Sequence, residues 1–469
     1  MNIVLTMTAH SCFALQVSRI TTEQADVAVI GGGMAGLSAG LAAAQAGADV
    51  VVLEATDSPG GSMALSGGLI WAPKDLATAR EYIPRGRADL QELLCGGIDD
   101  AWGWLESLGL PLEPEGPCLK DAMGRGRLMG LGGGGDRRDF AAAMVARLED
   151  LGGRVVHDAR LTSVAQVADG WRATWTDGEL AARRIVSATG GFQNNPDMVR
   201  EFITTEPERL IVRSNRSSDG FGVSEFRRLG AALSNGMSSF YGHSLPVTPE
   251  PLDPSMFIPS SQYYSDFTIA INSLGIRFTD ESVGVLDEHN AQIGSRQPGA
   301  TYYLIFDQAI RDEHVTGSAG LPGVLGAQVQ DRLALVEQLG GTVLVDDTIE
   351  GLAGQLQERG IPRDNVIDTV HSFNRAADPV EGLIPPRTRG YQALTTAPFY
   401  AVECRAAITY TMGGLWVDDT CRVLDEQREP IEGLFAAGAD AGGVFQDVYG
   451  GGLGWAAVSG RTAGLGAAR

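Results

Sequence analysis

The amino-acid sequence predicts an α/β protein in which a domain built on a parallel sheet is interrupted by an inserted α+β domain. Three observations support this prediction. A strand–turn–helix–strand pattern occupies residues 26–54, strands that end in glycine recur at 184–191 and 433–440, and prolines and aromatic residues become frequent between about 240 and 408. The predicted parts of the chain are an N-terminal extension at 1–25, a first domain at 26–239 and 409–469, and the inserted domain at 240–408.

The chain is acidic and rich in glycine. Its 469 residues include 36 Lys and Arg against 58 Asp and Glu, a formal net charge of −22, and 62 glycines. A surface that binds nucleic acid or an anionic membrane needs basic residues, so this balance argues against both partners. Hydrophobic residues make up 44% of the chain, which is enough to bury a large core. No run of residues has the length and apolar character of a membrane span.

The cysteines and the N-terminus restrict the setting of the protein. Five cysteines lie far apart without a C-x-x-C pair, so we expect no metal site, no c-type haem and a reducing compartment. The first 25 residues lack a basic n-region and a twin arginine, so we expect no secretion signal. Together these features predict a cytoplasmic protein.

Residues 26–54 carry the most specific motif of the chain. A β-branched apolar run at 26–30 ends directly in the sequence GGGMAG, a helix-forming stretch follows at 37–45, and a second apolar run at 49–53 closes on Glu54. This is the context that gives a G-x-G-x-x-G turn its meaning. The pattern predicts a Rossmann-like dinucleotide site, with a helix N-terminus that faces the diphosphate.

Each part of this motif has a physical role. Gly31 permits the tight turn, Gly33 lets the backbone approach a pyrophosphate, and Gly36 lets the helix pack closely on the strand. The carboxylate of Glu54 is expected to accept hydrogen bonds from the adenosine ribose hydroxyls.

Further glycine-rich blocks follow in a fixed order. They are PGGS at 59–62 with SGG at 66–68, RIVSATGGF at 184–192, and GLFAAGAD at 433–440. In this order the blocks resemble the flavoprotein subunit family of fumarate reductases and succinate dehydrogenases, with its relatives the 3-ketosteroid dehydrogenases and tricarballylate-type dehydrogenases. The resemblance extends over about residues 26–469 and implies a glutathione-reductase-type FAD-binding domain with an inserted α+β capping domain. Substrate would then lie between the cap and the isoalloxazine ring.

The resemblance also implies how FAD is held. It places Asp440 on the ribityl chain, and it points the N-terminus of the helix after residues 449–454 at the flavin. Membrane-bound relatives attach FAD through a histidine soon after the P-G-G block, but residues 62–68 contain none, so we expect non-covalent FAD. The residues expected to bind FAD are Gly31, Gly33, Met34, Ala35, Gly36, Glu54, Ala55, Gly60, Gly61, Ser62, Ser66, Gly67, Gly68, Ala188, Thr189, Gly190, Asp219, Gly438, Asp440, Gly452 and Leu453.

The two crossings between the domains supply candidate catalytic residues. His243 stands at the first crossing, where fumarate reductases hold a substrate carboxylate with histidine; a histidine bonded to a loop carbonyl is the alternative. Tyr410 stands at the second crossing, where fumarate reductases have a histidine before T-M-G-G. Where the family carries its proton-transferring arginine or tyrosine, this chain has Val285.

The last loop favours a ketone. In 3-ketosteroid dehydrogenases, a tyrosine in a Y-P-G-x-G loop and a backbone N–H hold the substrate carbonyl, and Tyr449 with the backbone of 450–453 resembles this arrangement without the proline. Fumarate reductases have arginine in this loop, which binds carboxylate bidentately. A carbonyl held in this way acidifies the α C–H. A base then takes the α proton while the β hydride passes to flavin N5; the candidates are Tyr410, Tyr241 and His243, with Asp287 and His289 more remote.

The sequence therefore predicts an FAD-dependent dehydrogenase or reductase that acts on CH–CH bonds next to a neutral ketone, including cyclic or steroid-like ones. An alternative is a fumarate- or enoate-type reductase that binds carboxylate through His243 and Arg277, although Arg277 also fits a structural role. A flavin-binding protein without turnover is the non-enzymatic alternative. No motif specifies the electron acceptor, the direction of the reaction or the oligomeric state.

Overall fold

The computed structural model describes residues 21–116, 123–130, 137–284, 286–316 and 331–469. Its strands are β1 Thr21–Ile30, β2 Val50–Leu53, β3 Leu69–Pro73, β4 Gly124–Leu128, β5 Arg154–Val156, β6 Leu161–Val167, β7 Gly170–Trp175, β8 Gly178–Ser187, β9 Ile211–Val212, β10 Phe240–Pro246, β11 Ile269–Asn272, β12 Thr301–Asp307, β13 Val343–Asp346, β14 Phe399–Thr411, β15 Arg422–Leu424 and β16 Pro430–Ala436. Its helices are α1 Met34–Gln45, α2 Gly61–Ala64, α3 Leu76–Tyr82, α4 Ala88–Ser107, α5 Arg137–Asp150, α6 Pro196–Phe202, α7 Phe221–Arg228, α8 Glu288–Gly294, α9 Gln308–Ile310, α10 Arg332–Gln338, α11 Ile349–Gln357, α12 Arg363–Asn374 and α13 Gly452–Ala467.

The first sheet has the strand order β15-β16-β8-β1-β2-β5, with the β6–β7 hairpin attached to β8. The strands from β16 to β5 run parallel, and Val27 of β1 lies between Val50 of β2 and Arg184 of β8. The apolar run at 26–30 thus becomes the centre of the sheet, where both faces are covered. Strand β1 begins at Thr21, inside the predicted extension, because Thr21–Ala25 pair with the first half of the long strand β8.

The second sheet is mainly antiparallel and has the order β10-β14-β12-β11, with β13 and β9 also paired to β14. Helices α10, α11 and α12 contribute to the same apolar core as β11, β12 and β14. This sheet contains the strands of the predicted insertion and also β9, which precedes residue 240 and pairs with β14 at Ala407 and Ile408. Long strand β14 therefore connects this sheet to the point where the chain returns to the first domain.

Helices α1 and α13 lie side by side against the first sheet. A Cβ atom added to Gly460 would lie 2.3 Å from the carbonyl oxygen of Ala35, and one added to Gly464 would lie 2.2 Å from that of Ala39. These distances are far inside contact, so glycine is needed for the two helices to approach each other. Part of the glycine excess therefore supports helix packing. Across the described ranges, no helix combines the length and hydropathy that spanning a bilayer requires.

Candidate active site

A cavity of about 310 Å³ lies at the carboxyl ends of β1, β8 and β16. Gly31, Ala188 and Ala437, which follow these three strands, line it. Phe257 and Tyr263, from the segment between β10 and β11, line it as well. The site thus occupies the edge at which open parallel sheets bind ligands, and residues of the predicted cap complete it.

The glycine-rich turn between β1 and α1 is built as the motif predicts. Gly31 has φ +104°, and a Cβ atom there would lie 2.4 Å from the carbonyl oxygen of Ala188. A Cβ atom at Gly36 would lie 1.8 Å from the carbonyl oxygen of Gly31. At Gly33, by contrast, the nearest atom to an added Cβ is 3.9 Å away, so this backbone is open to a ligand. The turn therefore fits a diphosphate at the start of α1.

Glu54 lines the cavity while its carboxylate also braces the turn. Oε2 accepts a hydrogen bond of 2.8 Å from the Gly32 N–H, and Oε1 accepts from the N–H and the hydroxyl of Thr56 at 2.9 and 2.7 Å. A carboxylate offers about four lone-pair sites, so ribose hydroxyls still have acceptors here. The expected contact with the ribose stays a prediction.

Most residues expected to bind FAD line this cavity. They are Gly31, Gly33, Met34, Ala35, Glu54, Ala55, Gly61, Ser62, Ser66, Gly67, Gly68, Ala188, Thr189, Gly190, Asp219, Gly438, Gly452 and Leu453. Gly36 and Gly60 are not among the lining residues. Gly36 packs α1 on β1, and the Gly60 N–H donates to the Gly32 carbonyl oxygen at 2.8 Å, so both shape the turn from behind.

Asp440 is also absent from the residues that line the cavity, and its expected contact with the ribityl chain stays a prediction. Its fully buried carboxylate accepts four hydrogen bonds. Oδ2 accepts from the Ser187 hydroxyl and from the N–H and hydroxyl of Thr189 at 2.6 to 2.8 Å, and Oδ1 accepts from the Gly191 N–H at 3.0 Å. Because these donors surround the end of β8, Asp440 positions the loop that contributes Thr189 and Gly190 to the cavity.

The three candidate catalytic tyrosines meet in the wall of the cavity. The rings of Tyr241 and Tyr449 stack with 3.9 Å between centroids and 13° between planes, and Tyr410 meets Tyr449 edge-on at 5.8 Å. The Tyr449 hydroxyl lies beside the first residue of α13, since a Cβ atom on Gly452 would be 2.8 Å from it. The site therefore combines phenol hydroxyls with a helix N-terminus, which together suit a carbonyl oxygen that becomes negative.

His243 lies behind Tyr241 and does not line the cavity, so it is not placed to hold a substrate carboxylate. Its Nε2 is 2.8 Å from the Tyr241 hydroxyl, and its Nδ1 is 2.6 Å from Oδ1 of Asp287. The second oxygen of Asp287 accepts from the Ser244 N–H at 2.6 Å. His243 and Asp287 are buried. The three side chains form a hydrogen-bonded chain that runs from the cavity wall, through His243 of β10, to Asp287 at the start of α8, and we call it the Tyr241–His243–Asp287 relay.

Burial affects the ionisation of two tyrosines of the cavity. Burial raises the pKa of Tyr241 and that of Tyr410 well above the usual phenol value. Both hydroxyls are therefore favoured in the protonated form, and the role of Tyr241 or Tyr410 as the base stays a prediction. His289 bonds to the Thr279 hydroxyl at 2.8 Å outside the cavity wall. Val285 lies outside the described residues.

A β-bulge aims two consecutive residues of β14 at the cavity. Tyr241 is opposite Tyr410, whereas Gly242 is opposite Ile408, so Thr409 is the extra residue. In a regular strand, neighbouring side chains point to opposite faces. Because of the bulge, Thr409 and Tyr410 both line the cavity.

Arg277 is buried in the segment between β11 and α8. Its guanidinium donates to both oxygens of Glu281, at 2.9 and 2.7 Å, and Arg387 donates to the same carboxylate at 3.1 Å. Arg277 therefore has the structural role, and the pair His243 and Arg277 does not form a carboxylate site.

Arg213 lines the cavity, and sequence reasoning missed it. The residue is 8% exposed; its Nη1 donates to the Thr409 hydroxyl at 3.1 Å and its Nε to the Phe257 carbonyl oxygen at 3.4 Å. It follows β9 in a segment without regular pattern, between two recognisable blocks. Its only sequence signal is a position shortly before Asp219 and the helix α7.

The chain was compared with protein families and with known proteins. The family described as FAD binding domain matches residues 26–453. The vinyl phenol reductase of Lactiplantibacillus plantarum is 28% identical, with 95% of this chain and 96% of the relative covered. The 3-oxosteroid 1-dehydrogenase of Mycolicibacterium smegmatis is 25% identical, with 92% of this chain and 94% of the relative covered.

Solved structures show the same fold. The 3-ketosteroid delta1-dehydrogenase from Sterolibacterium denitrificans, in complex with 1,4-androstadiene-3,17-dione, matches with a TM-score of 0.71 and 19% identity. The match covers 95% of this chain and 99% of that chain. The predicted fold class is thereby confirmed.

The family match spans both sheets, and the turn from Gly31 to Gly36 with Glu54 has the form that the adenosine diphosphate half of FAD requires. Both the predicted family and the predicted cofactor are confirmed. The chain belongs to the FAD binding domain family, and it is an FAD-dependent oxidoreductase.

Proposed function

We propose that this enzyme reduces a carbon–carbon double bond conjugated to a carbonyl group, and forms that bond in the reverse direction. Tyr449 holds the carbonyl oxygen and Tyr241 delivers the proton. The observation that supports this most directly is the position of Tyr241: the residue lines the cavity, and its hydroxyl is hydrogen-bonded to the buried His243, which is in turn bonded to the buried Asp287.

The carbonyl oxygen has two kinds of donor at the end of the cavity formed by Tyr449. One is the phenol hydroxyl, and the other is the N-terminus of α13, where Gly452 and Leu453 line the cavity. Both stabilise negative charge that develops on the oxygen as the double bond is reduced. FAD, when bound, supplies the hydride chemistry at its N5 atom.

The proton moves along the Tyr241–His243–Asp287 relay. In the reductive direction, Tyr241 gives its proton to the α carbon and takes another from Nε2 of His243. The carboxylate of Asp287 accepts the hydrogen bond of Nδ1 and stabilises the protonated imidazole that supplies this proton. Because burial makes an isolated phenolate costly at Tyr241, the two transfers are expected to be coupled. In the oxidative direction each transfer is reversed.

The relatives support both directions of the proposed reaction, reduction of the double bond and its formation. One is named a vinyl phenol reductase and the other a 3-oxosteroid 1-dehydrogenase, so the compared proteins include a reductase and a dehydrogenase of a ketone. An unsaturated carboxylic acid as the substrate is the second candidate, and Arg213 is the observation that favours it.

A flavin reoxidation experiment tests the proposal. The flavin is reduced anaerobically, and the reduced enzyme is mixed with a cyclic enone, with cinnamate, and with 4-vinylphenol. We expect a carbonyl-conjugated alkene to reoxidise the flavin, and Tyr449→Phe to slow that step about 10²- to 10³-fold while FAD stays bound. Tyr391→Phe is the control, since its hydroxyl bonds to the Phe373 carbonyl oxygen away from the cavity. Failure of both the cyclic enone and cinnamate to reoxidise the reduced flavin of the native enzyme, with or without reaction of 4-vinylphenol, would overturn the proposal.

A further inference from the structure

We propose that Arg213 binds a carboxylate group of the substrate, so that the enzyme selects unsaturated compounds that carry a carboxylate over uncharged ones. This inference rests on the proposed function, because it names the substrate class of the same cavity. Arg213 lies outside the motifs that identify the family, and its role follows from its surroundings alone.

First, the guanidinium of Arg213 is held by two residues that line the cavity. Its hydrogen bonds run to Thr409, which is the bulged residue of β14, and to Phe257. Both residues line the cavity with Tyr241 and Tyr263. This group of residues is distinct from the turn between β1 and α1 that fits the diphosphate. Arg213 therefore faces the part of the cavity in which the proposed reaction takes place.

The second step is the charge of Arg213. Among the described residues, no carboxylate forms an ion pair with Arg213, and its Nη2 has no hydrogen-bond partner. Three other buried arginines, from the segment that contains β11 to β14, have carboxylate or carbonyl partners. Arg277 and Arg387 share Glu281, while Arg332 donates to two carbonyl oxygens and does not line the cavity.

The third step is the chemistry that such a group selects. A buried cation without a counter-ion is costly, and an anionic ligand offsets that cost. A guanidinium presents parallel N–H donors whose geometry matches a carboxylate, whereas a single ketone oxygen uses fewer of them. The chain has a net charge of −22, so Arg213 gives this cavity a local positive charge that the protein surface as a whole does not have.

Binding to the oxidised holoenzyme tests this inference without turnover. The perturbation of the flavin absorption spectrum is titrated with 3-phenylpropionate and with its neutral isostere 3-phenylpropionamide. We expect the native protein to prefer the acid, and Arg213→Gln to reduce the ratio of acid to amide affinity about 10- to 100-fold. Arg213→Lys should retain part of the preference because it keeps the charge and loses the bidentate geometry. Arg216→Gln, an exposed arginine of the same segment, should leave the ratio unchanged.

The outcomes separate this inference from the proposed function. An unchanged affinity ratio in Arg213→Gln, or a native protein that binds the amide as tightly as the acid, overturns the carboxylate role of Arg213 alone. If the native reduced flavin is reoxidised by no alkene, the proposed function fails whatever the affinity ratio is. If Arg213→Gln does not retain FAD, Arg213→Lys is compared with the native protein instead. A ratio of acid to amide affinity that is unchanged in Arg213→Lys would show that residue 213 has only a structural role and would overturn the inference.

Discussion

The ring of Tyr241 stacks face to face on the ring of Tyr449, with 3.9 Å between their centroids. The two residues come from different parts of the fold, since Tyr241 lies on β10 of the second sheet and Tyr449 precedes α13 of the first domain. The stack places the proposed proton donor and the proposed carbonyl-binding hydroxyl on adjoining parts of one wall. It also joins the two domains at the site of reaction.

Removing the hydroxyl of Tyr241 should slow the reductive step with little effect on packing. Tyr241→Phe keeps the ring on Tyr449 and removes only the donor, so we expect reoxidation of the reduced flavin by an activated alkene to slow about 10²- to 10⁴-fold. Because burial raises the pKa of Tyr241 well above the usual value, the native rate should show no loss from ionisation of this phenol between about pH 6 and 9. Stopped-flow absorbance measures the reoxidation rate of the variant and the pH dependence of the native rate. A rate within a factor of two of native would exclude Tyr241 as donor.

Asp287→Asn should slow proton delivery through His243. The amide cannot stabilise a protonated imidazole as a carboxylate does, so we expect a loss of about 10²-fold and a larger solvent deuterium isotope effect on flavin reoxidation. The double variant with Tyr241→Phe should be no slower than Tyr241→Phe alone, because both changes interrupt one relay. Additive losses would show that Asp287 acts independently of Tyr241.

Asp266 should make the stability of the protein depend on pH. Burial raises the pKa of Asp266 to about 8, with further upward contributions from the nearby charge of Asp287. In the unfolded chain the group titrates near 4, so between about pH 4 and 8 the folded state holds more protons and the free energy of unfolding falls as pH rises. Asp266→Asn should remove a fall on the order of 3 kcal/mol between pH 5 and pH 8, measured by urea unfolding. The exposed Asp177→Asn is the control, and an equal slope in native protein and Asp266→Asn would contradict the assignment.

Gly36→Ala should prevent normal assembly of the nucleotide turn. The added Cβ would lie 1.8 Å from the Gly31 carbonyl oxygen, so α1 would have to move away from β1. We expect loss of bound FAD in the purified protein, measured by the ratio of flavin to protein absorbance. Gly96→Ala in helix α4 is the matched control, since its Cβ meets no atom within 4 Å, and it should raise stability by about 0.5 to 1 kcal/mol.

The flavin should be released by acid. Residues 62–68 provide no histidine for covalent attachment, so precipitation with acid should leave a colourless pellet and a yellow supernatant. Flavin absorbance that stays with the precipitated protein would contradict the prediction of non-covalent FAD. A denatured covalent flavoprotein processed in parallel serves as the control.

The parts of the fold that the sequence predicted are those determined by local chemistry. The sequence of β1, the glycine turn, α1 and β2 could be predicted because the motif lies within about 30 consecutive residues, and the close approach of Gly36 to the Gly31 carbonyl oxygen is local to it. The start of β1 at Thr21 could not, because it depends on the length of the distant strand β8. The residues expected to bind FAD lie mainly on turns within recognisable motifs. The candidate catalytic residues, by contrast, depend on contacts between distant segments.

Within the site, the contacts that the sequence did not predict join residues far apart in the chain. The sequence placed His243 correctly at a crossing but assigned it to substrate, because its partners Tyr241 and Asp287 come together only through the second sheet and α8. The resemblance assigned Asp440 to FAD. Its hydrogen bonds with Ser187 and Thr189 could not be predicted, because they join segments about 250 positions apart. Beyond its position shortly before Asp219, the sequence did not single out Arg213, because its distinguishing feature is that no carboxylate among the described residues pairs with it, and such a feature depends on the fold.

The bulge at Thr409 also affects how this strand can change during evolution. Before the bulge, β14 pairs with β12 and β13; the bulged residue Thr409 and the next residue, Tyr410, line the cavity. Loss of one residue at this point would leave the pairing register of the earlier half intact and would turn one of the two side chains away from the cavity. We therefore expect a deletion here to change the cavity wall, and with it the choice of substrate, while the chain still folds. Related enzymes can thus diverge in substrate at this position by loss of a residue as well as by substitution.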